Sequence, residues 1–92
     1  MQFICPAIGK DEERDFLVTG SPEDFRLIVF SSIEEYEMGI EYLKVNDYEP
    51  CEVSIELFEG LSKNDDEFSG IILNPHSENR FVSKNELLEG SF

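Results

Sequence analysis

The chain has 92 residues, 21 of them acidic and seven basic, which gives a net charge of −14 at neutral pH. That balance argues against direct binding of nucleic acid, whose phosphates must be neutralised by Lys and Arg, and against an anionic membrane surface. An apolar content of 40%, with eight Phe and three Tyr, excludes a disordered tail and fits a globular chain.

The length allows one domain, residues 1–92, with a single modest core. No run approaches the roughly 18–20 apolar residues of a membrane-spanning helix. Met1-Gln2-Phe3-Ile4-Cys5-Pro6 has neither the basic nor the long apolar region of a signal peptide, so the expected location is the cytoplasm. Cys5 and Cys51 lie 46 positions apart and are read as two buried, reduced thiols, with a redox role as the alternative. Two cysteines make no disulfide scaffold, and no second pair completes a zinc site.

Phe3 to Ile8 is a short apolar run that reads as a strand. Pro6 suits it to an edge or to an early strand position. Gly9 to Glu13 is a charged turn, and Asp15 to Thr19 a second strand able to pair with the first as a hairpin. Gly20-Ser21-Pro22 stops it. Leu27-Ile28-Val29-Phe30 is continuous, β-branched and aromatic, as a central strand is. Ser32 and Glu35 then have the spacing of a capping box. Ile33, Tyr36, Ile40 and Leu43 follow on one face of a helix over about 32–44, weakened by Gly39.

Asn46-Asp47 is a turn, and Tyr48 to Val53 a strand interrupted by Pro50. Ser54 can cap a second helix through about Ser62, with Leu57, Phe58 and Leu61 inward. Val53, Ile55 and Leu57 would also fit strand alternation, but Phe58 and Leu61 continue the helical spacing. After the polar stretch 62–67, Gly70 to Leu73 is a second continuous strand, closed by Asn74-Pro75. Phe81-Val82 is extended. Ser83 and Glu86 repeat the capping box ahead of a last short helix, and Gly90 is placed to stop it. The expected fold is α+β: a mixed sheet of four to six strands with two or three helices packed mainly on one face.

The run Gly70-Ile71-Ile72-Leu73-Asn74-Pro75-His76-Ser77-Glu78-Asn79-Arg80-Phe81-Val82-Ser83-Lys84-Asn85-Glu86-Leu87 resembles the N-terminal domain of the SseB family, named for enhanced serine sensitivity. That family has an apolar strand, an Asn-Pro turn, a short polar stretch, a brief strand and a capped helix. Phe16-Leu17-Val18 and the block Leu27 to Tyr36 look like its strand–Ser–helix segment. The resemblance spans most of the chain, with Asn74-Pro75 as its one distinctive motif. It implies a small α+β domain with no catalytic set. Similar domains in bacterial gene neighbourhoods with secreted toxins point to interaction roles. A function that depends on a further C-terminal region of such proteins is not expected to transfer.

From the residues alone, Asn74-Pro75 is a structural turn. Pro75 cannot donate to a ladder, and Asn74, extended before it, can bond nearby backbone. His76, the only histidine, reads as an exposed loop residue. No nucleophile elbow, phosphate-binding glycine loop, cofactor motif or metal-ligand spacing is present, and Asp65-Asp66-Glu67 reads as a solvated loop. The chain is therefore expected not to be an enzyme.

The acids are unevenly spread. Residues 34–67 hold twelve acids and two bases, a net of −10 out of −14. Glu34, Glu37 and Glu41 fall on a helix face separate from the apolar stripe, although Glu37 and Glu41 repel at i, i+4. Glu52, Glu56 and Glu59 repeat the spacing near the second helix. The expected function is binding of a basic protein such as a bacterial toxin, of the immunity or inhibitor type, through an acidic face over 34–59. The alternatives are an SseB-like regulatory or accessory domain that binds a housekeeping protein or a small metabolite near Asn74, and a small enzyme using acidic residues. The expected members of the acidic face are Glu34, Glu37, Glu41, Asp47, Glu52, Glu56 and Glu59. Tyr42 and Tyr48 are the expected anchors, because Tyr is enriched at interface hot spots. Tyr36 lies on the apolar stripe and belongs to the core.

Overall fold

Strands and helices follow one another closely along residues 2–9 and 13–90, which the computed structural model describes. The order is β1 (Gln2–Ile8), β2 (Asp15–Phe16), β3 (Val18–Ser21), β4 (Asp24–Val29), α1 (Ile33–Leu43), β5 (Glu49–Ser54), α2 (Ile55–Asn64), β6 (Phe68–Leu73), β7 (Arg80–Ser83) and α3 (Lys84–Glu89). Three of the charged-turn residues, 10–12, lie outside the described residues.

The strands form two sheets, β2-β1-β5 and β3-β4-β6-β7. β4 and β6 run parallel, and every other pair is antiparallel. An isolated antiparallel bridge between Ile4 and Phe30 joins the two sheets. The expected hairpin forms: Ala7 pairs with Phe16 and Ile8 with Asp15. The second strand then changes partner. Leu17 donates its N–H to Pro6 and accepts from Ile28, so β2 leaves β1 and β3 continues on β4.

Pro6 sits where this exchange happens. Ile4 exchanges both backbone bonds with Phe30. Two residues on, the nitrogen of Pro6 points the same way, into the gap between Phe30 and β2. Its missing N–H therefore takes nothing from the β1–β5 ladder. Pro50 stands opposite Pro6 in the register, so its nitrogen faces away from β1, off the edge of β5. A proline thus stands in a strand flanked on both sides, which the edge-strand expectation did not allow for.

Alternation along β4 sorts the core. Leu27 and Val29 join Phe3, Cys5, Val53, Phe58, Phe68, Ile71, Leu73, Val82 and Leu87 on one side. Ile28 and Phe30 join Ile4 and Tyr36 on the other. Phe58 belongs to α2 and Leu87 to α3, whereas Tyr36 belongs to α1. Two helices therefore share one face and α1 covers the other. Phe30 meets Tyr36 edge-on, with ring centroids 5.6 Å apart. Tyr36 is core, as its place on the stripe implied.

Gly39 lets α1 approach this closely. A Cβ there would lie 2.0 Å from Cε1 of Phe30, 2.6 Å from its Cζ and 3.0 Å from Nδ1 of His76. The residue that weakens the helix by propensity is the one on which the buried Phe30 packs.

Candidate functional site

The solvent face of α1 carries the features on which a binding function would rest. Glu34, Glu37 and Glu41 are all exposed. Beside them, one turn apart, Met38 and Tyr42 are 52% and 64% exposed. Spaced at i and i+4, they adjoin as one exposed apolar pair and are the two most exposed of the large apolar side chains among the described residues. The helix carries no base, and its first cation is Lys44 at the C-cap, in the left-handed conformation with φ 59°. There the helix dipole favours positive charge.

The other expected members do not all join this surface. Directly opposed residues of an antiparallel pair leave the same side of a sheet. Glu52 stands opposite Ile4, whose side chain lies in the α1-side core, so Glu52 shares the side of α1. Asp47, in the connection to β5, is exposed, while Tyr48 is half-buried and presents less of its ring than a free anchor would. Glu56 and Glu59 belong to α2, which packs on the opposite side. The expected face 34–59 is thus divided by the sheet. The reason is topological: β5 lies between α1 and α2, and each helix takes a different face. Glu56 is held below the usual carboxylate range by the hydroxyl of Ser54 and its own backbone N–H. It therefore stays charged, though apart from the α1 acids.

A second polar cluster lies at the ends of the parallel strands β4 and β6. Asn74 is buried, at 1% exposure, in the left-handed region with φ 48°. The extended conformation expected before a proline is not adopted. Its bonds account for this: its N–H donates to Val29, and its carbonyl accepts from Ser77 and Asn79. Its side-chain oxygen accepts from the Ser31 N–H at 3.1 Å, and its amide donates to Ser31 Oγ at 3.0 Å and to Glu78 at 2.8 Å. Asn tolerates this conformation better than most residues. Asn74 thus ties the β6–β7 turn to the β4–α1 turn, and its side chain is fully engaged. β6 ends at Leu73, just ahead of Asn74 and Pro75, as expected of this pair.

His76 is not the exposed loop residue its position suggested. Its side chain is 8% exposed, and Nε2 lies 2.6 Å from a carboxylate oxygen of Glu35. With the carboxylate ionised, that ring nitrogen is the donor. Nδ1 is buried with no hydrogen-bond partner among the described residues. Glu35 is drawn away from the helix cap. Ser32 Oγ accepts from the Glu35 N–H at 3.2 Å, but the return bond of a capping box is missing because the carboxylate faces His76. Sequence spacing found the cap and could not find the competitor, which arrives from 41 residues away.

An open depression is lined by Thr19, Arg26, Ile28, Leu43, Ile72, Pro75, Asn79 and Phe81, and Asn74 is not part of its lining. Arg26 lies over the Phe81 ring, 5.0 Å from its centroid. Among the described residues no Lys or Arg forms an ion pair, and no group of three or more His, Cys, Asp or Glu could hold a metal ion. No helix among them is long and apolar enough to cross a membrane.

Sequence reasoning also missed a pair. Cys5 and Cys51 are directly opposed across β1 and β5. Burial, and then Cys51, push the Cys5 thiol up to about 12.

No family model matches the chain. No curated protein and no solved structure matches it either.

Proposed function

We propose that this chain is a protein-binding module of the immunity or inhibitor type, which neutralises a basic partner through the outer face of α1. The observation that carries this is the α1 surface itself. Glu34, Glu37 and Glu41 run beside the exposed Met38 and Tyr42, with no base within the helix. Acids supply steering and specificity toward a basic patch, and Tyr42 and Met38 supply the apolar area that a hot spot needs. Glu52 lies on the same side of the sheet. Glu56 and Glu59 are on the other side and take no part. The Glu37–Glu41 repulsion costs the helix a few tenths of a kcal/mol.

The test is affinity capture from native lysate with the wild type and with Glu37→Lys plus Glu41→Lys. Basic proteins held by the wild type at low salt, released by salt and lost by the double variant support the proposal. The same proteins retained by a folded double variant overturn it. Tyr42→Ala should weaken capture with little change in its salt dependence.

A second function, an accessory domain of SseB-like type that binds a small anionic metabolite, is favoured by one observation. Arg26 has no carboxylate partner among the described residues and lines the depression beside Pro75 with Ile28, Ile72 and Phe81. A thermal-shift screen of carboxylate metabolites, with Arg26→Ala as control, tests it. Stabilisation that the variant loses would favour it over the first.

A further inference from the structure

The β1–β5 register sets Cys5 opposite Cys51, between the pairs Ile4–Glu52 and Pro6–Pro50. Ile4 turns both backbone groups toward Phe30, so Cys5, one residue on, turns its own toward β5. The two cysteines therefore form a hydrogen-bonded cross-strand pair. Such pairs have Cα atoms about 5.5 Å apart, within the roughly 4.4–6.8 Å that a disulfide spans, and closure must draw their Cβ atoms in from about 5.5 Å to about 4.5 Å or less. Opposed side chains leave the same face. Both belong to the α2-side core, with Cys5 sealed inside it and Cys51 half-buried against it. Neither is in a disulfide, and the Cys51 thiol donates to the Glu52 carbonyl at 3.8 Å. With only two cysteines in 92 residues, direct register is a specific juxtaposition.

We propose that Cys5 and Cys51 form a reversible dithiol–disulfide site, closed by exchange with a small disulfide such as oxidised glutathione. Cys51 is the entry point, because it lines an open polar recess with Arg14, Glu49 and Glu52. Its thiolate attacks one sulfur of the reagent. A Cys51–reagent bond forms, the reagent's own S–S bond breaks, and one thiolate leaves. Cys5 then gives up its proton and attacks the Cys51 sulfur. The protein disulfide forms and the second thiolate leaves. Two protein thiols lose two electrons, the reagent gains them, and the two protons end on the released thiols.

Burial shapes the kinetics. A thiol pushed up to about 12 is seldom a thiolate at neutral pH, so the second step is slow and quickens as pH rises. The equilibrium is a separate matter. Register holds the two cysteines opposite each other in the native chain, whereas unfolding opens a long loop between them. The native state therefore favours the closed form.

The test equilibrates the whole chain at pH 8.5 in glutathione buffers of graded reduced-to-oxidised ratio, natively and in guanidinium chloride, with acid quench and intact-mass readout. The expected native product is lighter by two hydrogens, carries a Cys5–Cys51 cross-link on proteolysis and reopens with dithiothreitol. Its equilibrium constant should exceed that of the denatured chain by at least about tenfold, the direction a stabilising cross-link requires. Two alkylatable thiols throughout, a terminal glutathione adduct on Cys51, or a native constant below the denatured one would overturn the proposal. Cys5→Ser should trap the Cys51 adduct. The wild-type mass decides the matter even if that variant does not fold. The acidic face of α1 plays no part in this chemistry, so the two proposals fail separately.

Discussion

Gly39 illustrates how one residue can be judged in opposite ways by propensity and by packing. In an isolated helix Gly39→Ala would gain about 1 kcal/mol. Here the added methyl would fall on the ring of Phe30, which is fully buried and cannot step aside. The expected outcome is a loss of about 3 kcal/mol, read from the shift in urea midpoint. Asn74 is similar in kind. Asn74→Ala removes three side-chain bonds and leaves Ala at φ 48°. A cost of about 2–4 kcal/mol is expected. Cys5 adds a pH dependence. Its thiol is raised from 9.0 to about 12 on folding, so the folded state holds the proton more tightly than the unfolded state. That contribution is fully present below pH 9 and is lost as pH rises toward 12. Under reducing conditions, stability should fall over that window, and Cys5→Ala should flatten the fall.

The two capped helices separate at the level of elements. α3 has the full reciprocal box between Ser83 and Glu86. α1 has half of one, because Glu35 is held by His76. Ser83→Ala and Ser32→Ala should each cost about 1 kcal/mol, since each removes a cap to an otherwise orphaned N–H. The glutamates should differ. Glu86→Ala should be coupled to Ser83, and Glu35→Ala to His76, by about 1 kcal/mol in double-mutant cycles on urea midpoints. Coupling of Glu35 to Ser32 instead would show that the carboxylate returns to the cap in solution. The identical Ser-x-x-Glu spacing predicts the start of both helices. It predicts the bonding of only one, because the competing imidazole comes from the β6–β7 turn.

Across the whole molecule, charge is the dominant unbalanced quantity. The fold measures 30 × 29 × 25 Å, close to the screening length of about 30 Å at 0.01 M salt. At that ionic strength all fourteen excess charges feel one another. At physiological salt, with a screening length of about 8 Å, only neighbours do. Melting temperature should therefore rise by several degrees between these conditions, whereas a neutral domain would barely respond. The lysine double variant of α1 should itself melt higher at low salt, so its loss of binding could not be blamed on unfolding.

Alternation, capping and continuous apolar runs are local properties, and they were legible in the chain. β1, β4, β6, all three helices, the stop at Gly90 and the core role of Tyr36 follow from spacing within a dozen residues. So does the α+β class. What depends on which face each helix chooses was not legible. The sheet separates Glu34, Glu37 and Glu41 from Glu56 and Glu59 because α1 and α2 pack on opposite sides of it. Burial of His76 against Gly39, the left-handed turn at Asn74 and the opposition of Cys5 and Cys51 arise from register and crossover between segments some 35 to 46 residues apart. Local sequence can fix a strand. Which residue stands across from it is decided only when every buried backbone group has found its partner and every apolar face its cover.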